Sequence, residues 1–295
     1  MPAYGLGDYL QFLVSGASTG CIYVLIALGL ITVYSVTGVI NLAQGEFVML
    51  GAMLAVTFSD KLGLPLLLAF FGAVLVVMLL GALVQRATIH PARRAPEVSV
   101  IIITIGTAIA LRGIALILWG TTPYALPAFS TGGPLKMWGA VLSRQRLWIM
   151  GTAALVLVLL YAFFEFTLLG KAVRACAINR QAAEIAGVDV QAMAMLSYAL
   201  SAGLGAAAGI VIAPLTLVSY DMGLALGLKG FVVAIMGGMV SAPAAVIGGL
   251  LLGILESFAS GTISSGFKDA LAFLVLFAVL LARTVRLKGL LGRRT

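Results

Sequence analysis

Residues Leu64–Gln85 read LPLLLAFFGAVLVVMLLGALVQ, an apolar run without one charged side chain. A helix rises 1.5 Å per residue, so about 20 apolar residues cross the hydrocarbon of a bilayer. This run is long enough to do so. Working outward from it, comparable runs occur at 9–35, 98–119, 147–168, 190–217 and 267–283. Three further segments, 41–59, 229–240 and 243–260, are shorter or rich in glycine. The expected fold class is all-α: a polytopic transmembrane helical bundle with eight or nine membrane segments, some short or broken. The count turns on whether 229–240 fully spans. Interrupted segments at membrane depth are tolerated only where protein or a water-filled cavity satisfies the backbone. They are where a pathway is expected.

Composition agrees. Hydrophobic residues make up 62% of the 295 and charged residues only 9%, against about 25% charged in an ordinary soluble domain. No polar stretch is long enough to bury a core of its own, so residues 1–295 are expected to form a single transmembrane domain. Its one substantial internal polar segment lies at about 170–189. The net charge of +8 does not point to nucleic acid, because the basic residues fall between apolar runs and at the C-terminus. The N-terminus lacks a basic region and a small-residue cleavage site before its first apolar run. That run is expected to be a retained span. Cys21 sits in an apolar run and Cys176 in a basic loop, so no disulfide is expected. Cys176 is a candidate reactive thiol, with inert packing the ordinary alternative.

Basic residues set orientation. Arg86, Arg93, Arg94, Lys171, Arg174, Arg180 and the tail Arg283, Arg286, Lys288, Arg293 and Arg294 fall on one side, eleven in all. The other side holds six: Lys61, Lys136, Arg144, Arg146, Lys229 and Lys268. The expectation is a C-terminus in the cytoplasm and an N-terminus outside. Arg144 and Arg146 dissent. The connection 120–146 contains Pro123, Pro127, Pro134 and Gly132–Gly133, with Trp119, Trp138 and Trp148 in or beside it. Prolines and glycines break helices and tryptophans favour the headgroup level, so an ordered external loop is expected. The pairs Gly16/Gly20, Gly205/Gly209 and Gly249/Gly253 each put two glycines on one helix face, where a second helix can approach closely.

Two stretches carry candidate function. In the first, Asn41, Gln44 and Glu46 stand among apolar neighbours between two spans. A carboxylate near hydrocarbon is costly unless paired or wet. Either this polar break lines a pathway or gate, or Asn41 caps the next helix and Glu46 sits in its first turn. The second stretch runs from Gly170 to Asp189. Asn179 can cap a short helix, and Gly187 suits the position past its end. Between them Ala182, Ala183, Ile185 and Ala186 would form a small flat apolar surface beside Glu184. Such a helix suits docking into a cleft of another protein; an interfacial helix on lipid is the alternative, for which it has few bulky anchors. Arg112 and Glu256 are the other intramembrane charges, and they could pair with each other or with a partner chain. Asp221, Lys229, Lys268 and Asp269 are expected to be solvated near span ends. His90, next to Pro91 in a basic loop, is expected to be structural. There is no glycine-rich phosphate loop and no paired-histidine zinc motif. No catalytic arrangement and no internal repeat stand out.

Three stretches together resemble one family. They are Gly29–Tyr34 through Gly38–Ala52; Arg174–Arg180 with Ala183–Gly187; and Gly230–Phe231, Gly237–Gly238 and Gly248–Gly253. In order and spacing they resemble the permease subunits of branched-chain amino acid importers of the ABC class. The family usually has histidine where this chain has Gln44, and often a proline in the tail where Ala282–Arg286 has none. The resemblance implies a non-catalytic, multi-pass subunit of the bacterial inner membrane. It implies pairing with a second, homologous permease and two cytoplasmic ATPase subunits, with an external solute-binding protein delivering substrate. No cofactor would bind this chain, and ATP and Mg2+ would sit on the partner subunits. Asn41, Gln44 and Glu46 would belong to the translocation pathway, and Arg174, Asn179, Ala183, Glu184 and Gly187 to the ATPase-coupling segment. Hydrophobic amino acids are the usual substrates, and related branches carry amides or urea. A secondary transporter is a rival class, for which Glu46, Arg112 and Glu256 are sparse ion-site material.

Overall fold

The computed structural model describes residues 5–92, 95–130, 132–137, 140–262, 266 and 270–281. Arg93, Arg94, Trp138, Lys268, Asp269 and the tail from residue 282, which carries five of the basic residues used for orientation, lie outside the described residues.

The apolar runs become helices: α1 (Leu6–Thr37), α2 (Gln44–Val56), α3 (Leu66–Val84), α4 (Glu97–Trp119), α5 (Arg144–Phe166), α6 (Leu168–Ile178), α7 (Arg180–Ile185), α8 (Val190–Ile212), α9 (Met222–Met236) and α10 (Ala242–Thr262). A further apolar helix, α11, covers Ala270–Leu281. Six helical stretches are long and apolar enough to cross a membrane. Helices apolar all round are stable only when surrounded by other helices or by lipid, and this bundle uses both. The most apolar stretches of α1 and α8 are 78% buried, whereas that of α5 is 11% buried. On α3, Leu67, Phe71, Leu75, Leu79 and Leu83 form an exposed stripe at a spacing of four. In water this stripe would be a liability; in lipid it is the ordinary outer surface.

Close packing of the centre depends on small residues. A Cβ on Gly20 would lie 2.6 Å from the Gly249 carbonyl oxygen, and one on Gly253 2.6 Å from the Gly20 Cα. The Gly16/Gly20 and Gly249/Gly253 pairs therefore face each other where α1 crosses α10, backbone against backbone. Gly205 and Gly209 receive Phe47 and Val48 of α2.

Two of the broken segments are half-length. The Gln44 side chain sits between Gly29, inside α1, and Ser201, at the middle of α8. So after Gly38 (φ 72) ends α1, residues 39–43 turn back into the bundle and α2 starts at mid-depth. Gly223 and Gly227 of α9 lie against Gly45, which puts the first turns of α9 at the same level. The segment expected at 229–240 is a helix that starts seven residues earlier and stops at Met236, followed by turns with Gly238 at φ 72 and Met239 at φ 62. Its 15 residues rise about 22 Å, short of the roughly 30 Å hydrocarbon core. It does not span by itself.

An internal symmetry that the sequence hides appears in the packing. α1 runs antiparallel to α8, with Gly29 at Ser201 and Val36 clustering with Val190 and Met193. α1 lies against α10 and α8 against α3; α2 lies along α8 and α9 along α1; α2 and α9 meet. Exchanging α1–α2–α3 for α8–α9–α10 maps each of these contacts onto another. The contacts thus relate α1–α2–α3 to α8–α9–α10 as an inverted pair, with no repeat standing out in the sequence. Shape rather than residue identity carries this symmetry.

At one end of the bundle the described residues of the connection 120–143 are held in place by contacts to the helices. Tyr124 bridges Val218, Trp119 Nε1 donates to Thr57 Oγ1 (2.7 Å), and Gln145 Nε2 donates to the Val211 carbonyl (2.8 Å). A short antiparallel hairpin, β1 (Leu135–Met137) and β2 (Ala140–Leu142), is its one departure from an all-helical fold among the described residues. Gln11 near the start of α1 accepts from the Val141 N–H (3.1 Å). At the opposite end, Val36 packs with Val173, Cys176, Ala183, Val190 and Met193 of α6, α7 and α8. The start of α1 and the α6–α7 segment therefore lie at opposite ends. Cys176 is buried in that cluster, which answers the reactive-thiol reading: packing shields it.

Candidate functional site

The three polar residues of the 41–46 break lie at one cleft of about 190 Å3 between α1, α2, α4 and α9. They do different things there. Asn41 does not cap α2 directly: Ala43 holds the cap position, and Asn41 Oδ1 accepts from the Ala43 N–H (3.1 Å) one step earlier, shaping the re-entrant turn. Its Nδ2 is buried without a hydrogen-bond partner among the described residues. Gln44 staples α2 to α8: Nε2 donates to the Ser201 carbonyl (3.0 Å) and the Ser201 hydroxyl donates to Oε1 (2.6 Å). Glu46, in the first turn of α2 and 1% exposed, accepts from Arg112 of α4. Among the described residues its second oxygen is buried without a partner, as is Arg112 Nε. Around these groups the wall is apolar, with Ile105 and Ala108 of α4 and Leu228 and Phe231 of α9.

A second ion pair lies beyond α9. Lys229 Nζ is 3.2 and 3.3 Å from the two oxygens of Glu256 on α10, and the Tyr23 hydroxyl donates to Glu256 (2.7 Å). The expected pairing of Arg112 with Glu256 is therefore replaced by two separate pairs, and Lys229, expected to be solvated, is mostly buried. The reason is register. Starting α9 at Met222 places Lys229 inside the bundle, where a carboxylate within reach offsets part of its desolvation. Asp221, which accepts from the Ser219 hydroxyl (2.6 Å), is exposed as expected.

The 170–189 segment also folds as a unit. Asn179 Oδ1 accepts from the Ala182 N–H (3.0 Å), capping α7. Gly187 takes φ 87, the left-handed conformation that favours glycine, and Val188 N–H donates to the Ala183 carbonyl (3.0 Å). Arg174 pairs with Glu165 (2.8 Å) at the surface. Ala183 departs from expectation: it is 4% exposed and packs inward against Val36, Val173 and Met193. The outward face consists instead of Ala182, Glu184, Ala186 and Ile185, the last 88% exposed.

A family model described as branched-chain amino acid transport system / permease component matches residues 12–282. The chain belongs to this family. Among its relatives, the high-affinity branched-chain amino acid transport system permease protein BraD of Pseudomonas aeruginosa is 33% identical over 298 aligned residues, covering 97% of this chain and 96% of the relative. The corresponding permease protein LivH of Escherichia coli K12 is 30% identical with the same coverage. A solved structure, PsaBC from Streptococcus pneumoniae in complex with Fab, aligns with 91% of this chain and 91% of its own at 15% identity, TM-score 0.49.

In the permease, Arg112 was legible as an intramembrane charge but not as the partner of Glu46. Lys229, Tyr23 and Ser201 were not singled out as site residues. A lysine flanked by apolar residues in 222–236 was the available signal. For Tyr23 and Ser201 there was none, because each gains its role from a residue more than 150 positions away.

Proposed function

We propose that this permease forms, with a second homologous permease, the translocation pathway of an ATP-driven importer for branched-chain or other hydrophobic amino acids. Two cytoplasmic ATPase subunits would bind ATP and Mg2+ and do the hydrolysis; this chain would catalyse nothing and hold no cofactor. An external solute-binding protein would deliver substrate to the end of the bundle that carries the 120–143 connection. The N-terminus would be outside and the C-terminus cytoplasmic, with residues 1–295 acting as one membrane domain.

The observation that carries this reading is the meeting of two half-length helices, α2 and α9, at mid-depth beside an ion pair and an open cleft. Broken helices are tolerated where they line a cavity, and their first turns present a positive dipole end at that depth. The family and its relatives supply the substrate class. The α6–α7 segment at the far end, with its exposed Ile185 and capped short helix, suits the docking of an ATPase. ATP binding would move it, and the bundle would alternate between inward- and outward-open states a few kcal/mol apart.

The inverted arrangement of helices also occurs in carriers driven by ion gradients. Reconstitution in vesicles separates the two. The expected result is leucine uptake that needs ATP and survives collapse of all ion gradients. Uptake that follows a gradient and ignores ATP overturns the proposal, and uptake of amides or urea in place of amino acids overturns its substrate class.

A further inference from the structure

The pathway cleft contains three buried polar atoms that the described chain leaves without partners: Asn41 Nδ2, Arg112 Nε and Glu46 Oε2. An unsatisfied buried polar group carries its full desolvation penalty, so three at one cleft are not ordinary packing. Their chemistry is specific. Two are donors, one of them cationic, and one is an anionic acceptor. Asn41 and Glu46 are each 1% exposed, and both line the cleft. Asn41 lies in the turn that leads into α2 and Arg112 on α4, and Glu46 Oε2 faces the first turn of α9, where a Cβ on Gly223 would lie 3.1 Å from it. Opposite them the cleft is walled by Ile105, Ala108, Leu228 and Phe231.

Two donors, one acceptor and an apolar wall complement an α-amino acid in its zwitterionic form. We propose that this corner holds the substrate during passage: its carboxylate on Arg112 and Asn41, its ammonium on Glu46, and its branched side chain against the apolar wall. This rests on the translocation reading above and extends it. Arg112 and Glu46 satisfy each other when the site is empty, which keeps two charges tolerable near hydrocarbon. A zwitterion can insert between them without changing the net charge of the site; an anion or a cation cannot. The three atoms are closed off in this conformation, so entry requires α4 or α9 to draw back from α2, a motion that alternating access supplies. An amino acid held in this way would be recognised by its head, with the side chain tolerated if apolar.

The test uses the whole complex reconstituted in vesicles. Ile109, which is 65% exposed and borders the cleft, is replaced by cysteine in a chain carrying Cys21→Ala and Cys176→Ala. The labelling rate with a small thiol reagent is then measured, with the binding protein omitted. Expected is at least threefold slower labelling with saturating L-leucine, and little change with leucinamide or 4-methyl-2-oxopentanoate, which lack the carboxylate and the ammonium respectively. Glu46→Gln should abolish protection by leucine while the complex stays assembled. Equal protection by all three compounds, or none in vesicles that still take up leucine with ATP, overturns the zwitterion site and leaves the importer standing. Vesicles that take up no amino acid with ATP show instead that the underlying reading has failed.

Discussion

Neutralising Glu46 should separate the structural role of its ion pair from its transport role. Glu46→Gln leaves the Arg112 guanidinium with a neutral acceptor in place of an anion. Removing one partner of a fully buried pair costs about 3–5 kcal/mol. The Arg112 side chain is 26% exposed and that of Glu46 only 2%, so solvent from the cleft screens part of the loss, and about 2–3 kcal/mol is expected. The double variant Glu46→Gln/Arg112→Gln removes both desolvation penalties and should recover most of that stability. The assay is a double-mutant cycle on thermal unfolding of the purified protein in detergent, run beside ATP-driven uptake in vesicles. Uptake should fall at least tenfold in all three variants, including the stable double one. If the double variant regains uptake along with stability, the pair is only a structural clamp. If the double variant loses the sum of what Glu46→Gln and Arg112→Gln lose singly, the two side chains are not coupled and the pairing itself is wrong.

Gln44→Leu keeps approximate volume but strands the Ser201 hydroxyl and carbonyl, and should lower stability by about 1–3 kcal/mol in the same unfolding assay. Gly253→Val would drive a side chain into the Gly16–Gly20 backbone, and overpacking of about 1–3 kcal/mol or more should show as loss of folded protein on size-exclusion chromatography. Ala183→Trp should destabilise the α6–α7 cluster rather than a partner contact, whereas Ile185→Asp should leave unfolding unchanged and reduce substrate-stimulated ATP hydrolysis and uptake together. A Cβ on Gly187 would meet nothing within 4 Å, so the main cost of Gly187→Val is the left-handed backbone, about 1–2 kcal/mol. It should weaken coupling without affecting insertion, and normal coupling in both Ile185→Asp and Gly187→Val removes this segment as the coupling element.

Local signals in the sequence translated directly where the physics is local. Asn179 and Gly187 bracket a helix because capping and left-handed geometry involve neighbours a few residues apart. The polar break at 41–46 was visible because three polar side chains interrupt apolar sequence. Its inner logic was not: Asn41, Gln44 and Glu46 looked alike as polar residues, yet one shapes a turn, one staples α2 to α8 and one forms an ion pair. Ala183 and Ala182 are indistinguishable on a six-residue helix until the packing of Val36 and Met193 fixes which of them is covered. The start of α9 was misplaced because Asp221 and Lys229 both read as solvated residues near span ends, whereas Lys229 lies inside a helix that opens at Met222.

By itself the sequence determined that this chain lies in a membrane, where five of its full-length apolar helices fall, and which family it resembles, since apolar run length and motif order are properties of the linear chain; the sixth, α10 (Ala242–Thr262), read as short, and the run at 267–283 contains only the shorter helix α11. Tertiary structure alone decided that α2 and α9 begin at mid-depth and meet, that Glu46 takes Arg112 and Lys229 takes Glu256, and that α1–α2–α3 and α8–α9–α10 share an inverted pattern of contacts. Each of these depends on which distant segments become neighbours. In lipid that choice is made by the close approach of small residues and the pairing of scarce charges, and neither leaves a periodic mark in the sequence.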